Sequence, residues 1–181
     1  MRKPVQSITL LFAVLFLAGC NDFVSIYPLY DEFTLVSTPS LAGTWKSTED
    51  DSWTFVPSEG RLYEVTLSSP EDEENWNLEG GLVELSGKLF LDLCGDDAGA
   101  TGAPAHIFAR IRIEESPLEG KRIEVAWLEQ SWMEEQLRQE AHLTSLPPAH
   151  GRTILTTPTR DLQDFFRRHA WDEDAFSTSF K

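Results

Sequence analysis

Basic residues are scarce in this chain: 15 lysines and arginines stand against 30 aspartates and glutamates, a formal charge of −15 over 181 residues. A field of that sign repels phosphate backbones and anionic headgroups, so nucleic acid and charged membrane surfaces are poor partners. Spanning hydrophobic runs are missing too. The apolar stretch Ile8 to Ala18 falls short of the roughly 20 residues that a membrane-crossing helix needs. Enzyme signatures are equally sparse: there is no G-x-S-x-G, no nucleotide-binding glycine loop and no nucleophile–base arrangement. The four histidines, His106, His142, His150 and His169, lack zinc-ligand spacing, so no metal or other cofactor is expected. Cysteine is limited to Cys20 and Cys94.

What is present begins at the N-terminus. Arg2 and Lys3 supply positive charge, Ile8 to Ala18 form an uncharged apolar core, and small residues follow; these are the parts of a secretory signal over residues 1–19. Leu17-Ala18-Gly19-Cys20 resembles the lipobox of bacterial lipoproteins at all four positions. That resemblance implies a diacylglyceryl thioether on Cys20, palmitate-type acylation, and a mature chain that starts there. Two or three acyl chains, at about 0.8 kcal/mol per buried methylene, hold far better than one. The expected state is anchored to a membrane of the cell envelope without spanning it.

Removing Arg2 and Lys3 leaves 13 basic and 30 acidic residues, a mature charge of −17. With Cys20 acylated, Cys94 has no disulfide partner, and stability must come from burial. Asn21 follows the cysteine and Asp22 comes one position later, which favours the periplasmic face of the outer membrane over the inner membrane or the cell surface.

Residues 20–40 hold two prolines and isolated apolar residues without a clear period, and read as a tether whose aromatics pack on the body. From residue 41 to 157 the texture becomes short alternating segments between turns, the pattern of antiparallel strands. Eight are expected: 41–47, 52–56, 61–67, 75–86, 88–94, 106–115, 122–129 and 153–157. Leu89, Leu91 and Leu93 share one face, as do Ile107, Ala109, Ile111 and Ile113, and Ile123, Val125 and Trp127. In the fourth segment Trp76 and Leu78 sit at even positions and Val83 and Leu85 at odd ones, so a bulge at Gly80-Gly81 is expected to restore one inward face.

Two helices break the pattern. Ser131 and Glu134 fit a capping box that starts a short helix running towards His142. Thr157-Pro158 reads as N-cap and first turn of a second helix in the C-terminal segment 158–181, with Leu162, Phe165, Phe166 and His169 on one face. Phe90 and Phe108, which point away from the expected interior, are its dock. The fold class is therefore mainly β: an eight-stranded antiparallel up-and-down barrel or a strongly curled sheet, with a short helix before the last strand and a C-terminal helix.

Gly43-Thr44-Trp45 at the head of the first strand resembles the G-x-W motif of lipocalins, in which the tryptophan closes the base of a β-barrel. The T-D-Y motif of that family is missing here, and Arg152 is the candidate for the arginine that packs on its tryptophan. Tyr27-Pro28-Leu29-Tyr30, Leu41-Ala42-Gly43-Thr44-Trp45 and Leu89-Phe90-Leu91-Asp92 together resemble a group of uncharacterised bacterial lipoproteins. That resemblance implies no activity.

The residues that carry function are accordingly few. Cys20 is the lipidation site. Trp45, Trp53, Tyr63, Trp76 and Trp127 are the aromatic constellation able to line a cavity for a small apolar ligand, or to fill the interior instead. Asp92 and His106 fall on neighbouring strands where an acid–base pair can form, although such pairs more often sit on a solvent face. Cys94 reads as incidental, and Glu71-Asp72-Glu73-Glu74 as a solvated hairpin without the spacing of a calcium loop. A non-catalytic, lipid-anchored envelope protein follows, either a binder of an apolar small molecule or a structural and protein-interaction module with a filled core.

Overall fold

The computed structural model describes residues 23–47, 50–70, 75–95, 105–116, 120–149 and 152–180. In chain order these form β1 (Phe23–Ser25), β2 (Leu35–Val36), β3 (Gly43–Lys46), β4 (Ser52–Pro57), β5 (Tyr63–Ser68), β6 (Trp76–Leu85), β7 (Lys88–Gly95), β8 (His106–Ser116) and β9 (Gly120–Leu128). Then come α1 (Gln130–Gln139), β10 (Ser145–Ala149), β11 (Arg152–Leu155), α2 (Thr159–His169) and β12 (Phe176–Phe180).

The alternating segments pair in sequence order, each antiparallel to the next, from β3 to β9. Strands five places apart would lie roughly 24 Å apart in a flat sheet at about 4.8 Å per step. Yet Trp53 of β4 and Trp127 of β9 bring their rings to 5.9 Å. The seven strands therefore curl around a common interior, filled from all sides by the expected inward residues: Leu91, Leu93, Ala109, Ile111, Ile123 and Val125.

The curl does not close into an eight-stranded barrel. Among the described residues no ladder joins β3 to β9, and the expected eighth strand, β11, lies elsewhere in a mixed twelve-stranded sheet. It pairs with β1 in parallel and with β10 antiparallel. The physical reason is β1: its three buried residues need ladder partners on both edges, and β8 and β11 supply them. Residues 23–40, expected as a tether, are thus part of the body. They contribute β1, the pairing of β2 with the second half of β6, and the fully buried Leu29.

The predicted bulge at Gly80-Gly81 is absent. The register of β6 against β7 runs unbroken from Leu78↔Gly95 to Leu85↔Lys88. The change of parity has a different cause: this part of the sheet is covered on both faces. Leu82 belongs to the curled interior, whereas Val83 and Leu85 face a second core that contains α2. Both glycines serve close approach. A Cβ at Gly80 would meet Val65 Cγ2 at 2.7 Å, and one at Gly81 would meet the Tyr30 ring at 2.4 Å.

That second core is where α2 docks. Leu162, Phe165 and Phe166 are buried, and Phe166 meets the rings of Phe90 and Phe108 at 5.3 and 5.5 Å in edge-to-face geometry. Each such ring contributes roughly 1.5–3 kcal/mol by leaving water. The helix begins one residue later than expected, with Pro158 at the N-cap, because the Thr157 hydroxyl is engaged by Thr144: it accepts from the Thr144 N–H at 2.8 Å and donates to the Thr144 carbonyl at 3.2 Å. The capping box of the first helix is also replaced. Glu129 is the N-cap without a side-chain bond, and Glu134 accepts from Gln130 instead. β12 follows α2 and extends the edge of β9 at Val125–Leu128, in a stretch expected to be tail.

Candidate functional site

The aromatic constellation divides. Trp53 and Tyr63 are buried in the curled interior, with Trp45 and Trp127 packed against it. Trp53 touches Phe55 and Trp127, while Phe55 stands edge-on to Tyr63 at 6.2 Å. The polar atoms of Trp45 and Tyr63 are engaged by the main chain. Trp45 Nε1 donates to the Leu41 carbonyl at 2.8 Å, and the Tyr63 hydroxyl accepts from the Thr38 N–H and donates to the Thr38 carbonyl. Trp76 does not join them: it shares the inward parity of Leu78 and Leu82 but stands at the first position of β6, beyond the packed interior, and is 61% exposed.

The strongest polar site is one that strand order alone hinted at. Asp92 on β7 and His106 on β8 meet with Oδ1 and Nδ1 2.8 Å apart, and they are buried, at 1% and 6% exposure, not solvated. The cover comes from far away in the chain. Leu29 donates its N–H to Asp92 Oδ2 at 2.6 Å, and the Tyr30 ring stands edge-on over His106. A carboxylate that accepts on both oxygens makes Nδ1 of His106 the donor and fixes the orientation of the ring. Burial pushes the Asp92 carboxyl above its usual range, against the opposing pull of His106 and the Leu29 N–H.

Around this pair the polar groups are close-set. Tyr30 donates its hydroxyl to Glu79 Oε1 at 3.3 Å. Burial, then the charges of Asp92 and Glu79, raise the Tyr30 phenol above its ordinary value. Cys94 is half-buried at the end of β7, opposite His106 in one ladder and Glu79 in the other. The arrangement binds chain to chain: Asp92 clamps the segment Tyr27–Tyr30 onto the sheet.

A second set of hydrogen bonds completes that clamp from α2. Gln163 Nε2 reaches the Leu29 carbonyl, Asp31 Oδ2 and Thr34 Oγ1 at 3.0–3.2 Å, and Thr159 donates to the Pro28 carbonyl at 2.7 Å. Neither residue stood out in the sequence. Their only signal was polarity at the edge of an otherwise apolar helix face.

Two further histidines converge on Glu140, behind α1. His169 Nε2 and His142 Nε2 lie 3.0 and 2.9 Å from its two oxygens, and Arg168 donates to it at 2.5 Å. Burial alone would raise the Glu140 pKa, but the bonds from His169 and Arg168 outweigh it and hold the carboxyl below its usual range. Among the described residues no group of three acidic, histidine or cysteine side chains is placed to hold a metal ion. Cys20, His150 and the run Glu71–Glu74 lie outside the described residues.

Comparison with protein-family models, with curated proteins and with solved structures found no match to this chain. The functional reading therefore rests on its own residues.

Proposed function

We propose that the chain is a membrane-anchored lipoprotein of the bacterial cell envelope whose non-catalytic body acts as a protein-interaction module with a filled core. The observation that carries the second half is the packing of Trp53, Phe55, Tyr63 and Trp127 on one another where a carrier would keep space for its ligand. A non-catalytic reading is supported by the Asp92–His106 pair. Both oxygens of Asp92 already have partners, one of them main-chain, so the carboxylate is committed to holding Leu29 and orienting His106. The anchor is supported by the lipobox resemblance at residues 17–20. No helix among the described residues is long and apolar enough to cross a membrane, which is compatible with lipid attachment. Since β1 begins at Phe23, an acylated Cys20 would hold the body within about 10 Å of the bilayer surface, at roughly 3.3–3.6 Å per extended residue.

Metabolic labelling with palmitate and native mass spectrometry test the two halves separately. Label is expected in the wild-type chain and not in Cys20→Ser; label retained by the variant overturns the anchor. A clean apo mass that takes up no added fatty acid is expected. A bound mass that organic extraction removes would make the protein a small-molecule carrier.

A further inference from the structure

The gap that keeps the curled sheet open has two walls, and among the described residues each carries strand edge without a ladder partner. Ser47 donates its N–H to the Asp51 carbonyl at 2.9 Å, which makes Ser47, Trp45 and Gly43 the residues whose main-chain groups face β4. By alternation, Thr44 and Lys46 turn their N–H and C=O groups outward. The 3.0 Å contact between the Thr44 and Thr54 hydroxyls agrees, because side chains come closest at non-hydrogen-bonded pairs. On the other wall, Glu129 donates to the Ala175 carbonyl, so odd-numbered residues of β9 face away from β8. β12 covers them only as far as Val125, which leaves Lys121 and Ile123 with outward main-chain groups.

These two edges line one cleft of about 370 Å³, together with Trp45, Glu114, Ser116, Gly120 and Arg122. β3 and β9 are six antiparallel steps apart and run in the same direction, so one strand inserted between them would be antiparallel to both. It would be the eighth strand of the ring.

We infer that this seam is a docking site for an extended segment of a partner protein, a strand that alternates acidic and apolar residues. The inference makes the interaction reading above specific and is independent of the lipid anchor. Edge hydrogen bonding supplies affinity for any extended chain, and the flanking side chains select among them. Trp45 packs against the interior but stays half-buried and presents apolar surface beside the edge, whereas Ile123 is buried. Lys46 and Arg122 project on the other side, where acidic residues would lie. Arg122 is held by Glu114 and Lys121 by Glu115, but exposed pairs of this kind are worth at most about 1 kcal/mol and exchange readily. Not every edge is open: β10, at the other end of the sheet, carries Pro147 and Pro148, which cannot donate to a new ladder.

The test is amide NMR with hydrogen exchange on the full chain in detergent micelles, titrated with the blocked peptide TEVEVET and, as control, TKVKVKT. The amides of Thr44, Lys46 and Lys121 are expected to exchange freely without peptide, and to shift and gain protection with the acidic one. The basic peptide should bind at least tenfold more weakly. Lys46→Pro removes an outward N–H without touching the β4 ladder and should abolish the response. Should that variant misfold, the pair Lys46→Glu and Arg122→Glu should weaken binding of TEVEVET at least tenfold. Protection of these amides in the free chain, or no response at millimolar TEVEVET, overturns the proposal. Shifts at the same amides that grow with protein concentration alone would also overturn it, by making a second copy the occupant. Failure of the filled-core reading would show separately, as a lipid mass in native spectra.

Discussion

The two faces of the central strands are built by different rules. Leu91 and Leu93 look into the curled interior, where most neighbours come from strands that follow one another along the chain. Phe90 and Asp92, between them in sequence, look out onto α2, β1 and the segment Tyr27–Tyr30, which arrive from the two ends of the chain. The inner face is held chiefly by apolar contact and ring packing, with directional bonds where Trp45 and Tyr63 fix the Thr38–Leu41 segment. The outer face adds fixed polar clamps, Asp92 to Leu29 and Gln163 to Leu29, Asp31 and Thr34. Burial suffices where chain order already brings elements together. Segments that arrive from a distance need directional bonds to fix where they sit.

Equal cavities on the two faces break that comparison most strongly. Phe55→Ala in the interior and Phe166→Ala on α2 should each cost about 3–5 kcal/mol in denaturant unfolding. Hydrogen exchange should separate them, with Phe166→Ala releasing α2 and β1 before the curled strands open. Uniform loss of protection in both variants would mean that the faces are not distinct units. Next comes the clamp itself. Asp92→Ala leaves the Leu29 N–H and His106 without their acceptor in a buried site and should cost about 3 kcal/mol, with loss of protection at the Leu29 amide as its specific readout.

A smaller effect is expected from Gly81→Ala, whose Cβ would lie 2.4 Å from the Tyr30 ring. About 1–3 kcal/mol of destabilisation should follow, and combining it with Tyr30→Ala should cost less than the sum of the two changes. Smallest is Glu140→Gln. The Glu140 pKa is lower in the folded chain, so its contribution is present above the ordinary carboxylate range and is lost as pH falls through the folded value. The group is partly exposed, and its share should stay below about 1 kcal/mol. Wild type and variant should therefore converge in thermal stability as the solution is acidified; a constant difference across pH would count against the assignment.

The inner face was legible because strand alternation is local: Leu89 to Leu93, Ile107 to Ile113 and Ile123 to Trp127 all lie where period two puts them. Docking of α2 on Phe90 and Phe108 was legible for the same reason, since residues that alternate away from one core need another. What escaped depends on distant partners. Asp92 and His106 could be placed side by side, but not buried, because their cover is Leu29 and Tyr30. The parity change at Gly80-Gly81 looked like a bulge because a sheet covered on one face explains it only that way. β11 was recognisable as a strand, yet its place beside β1 follows from a parallel pairing that no hairpin announces. β12 did leave a signal, Phe176 and Phe180 at alternating spacing, outweighed by its position after a helix.

The parallel pairing of β1 with β11 also dictates a timetable. Phe23 pairs with Thr153, so about 130 residues of chain must emerge before the first strand meets its parallel neighbour. A chain exported from its N-terminus would deliver β1 first and seat it last, and contacts of such long sequence separation slow folding. The seven consecutive strands can assemble while β1 waits. Nascent molecules would then expose Phe23, Val24 and Leu29 until β11 and α2 arrive, a window in which a chaperone has an apolar segment to hold.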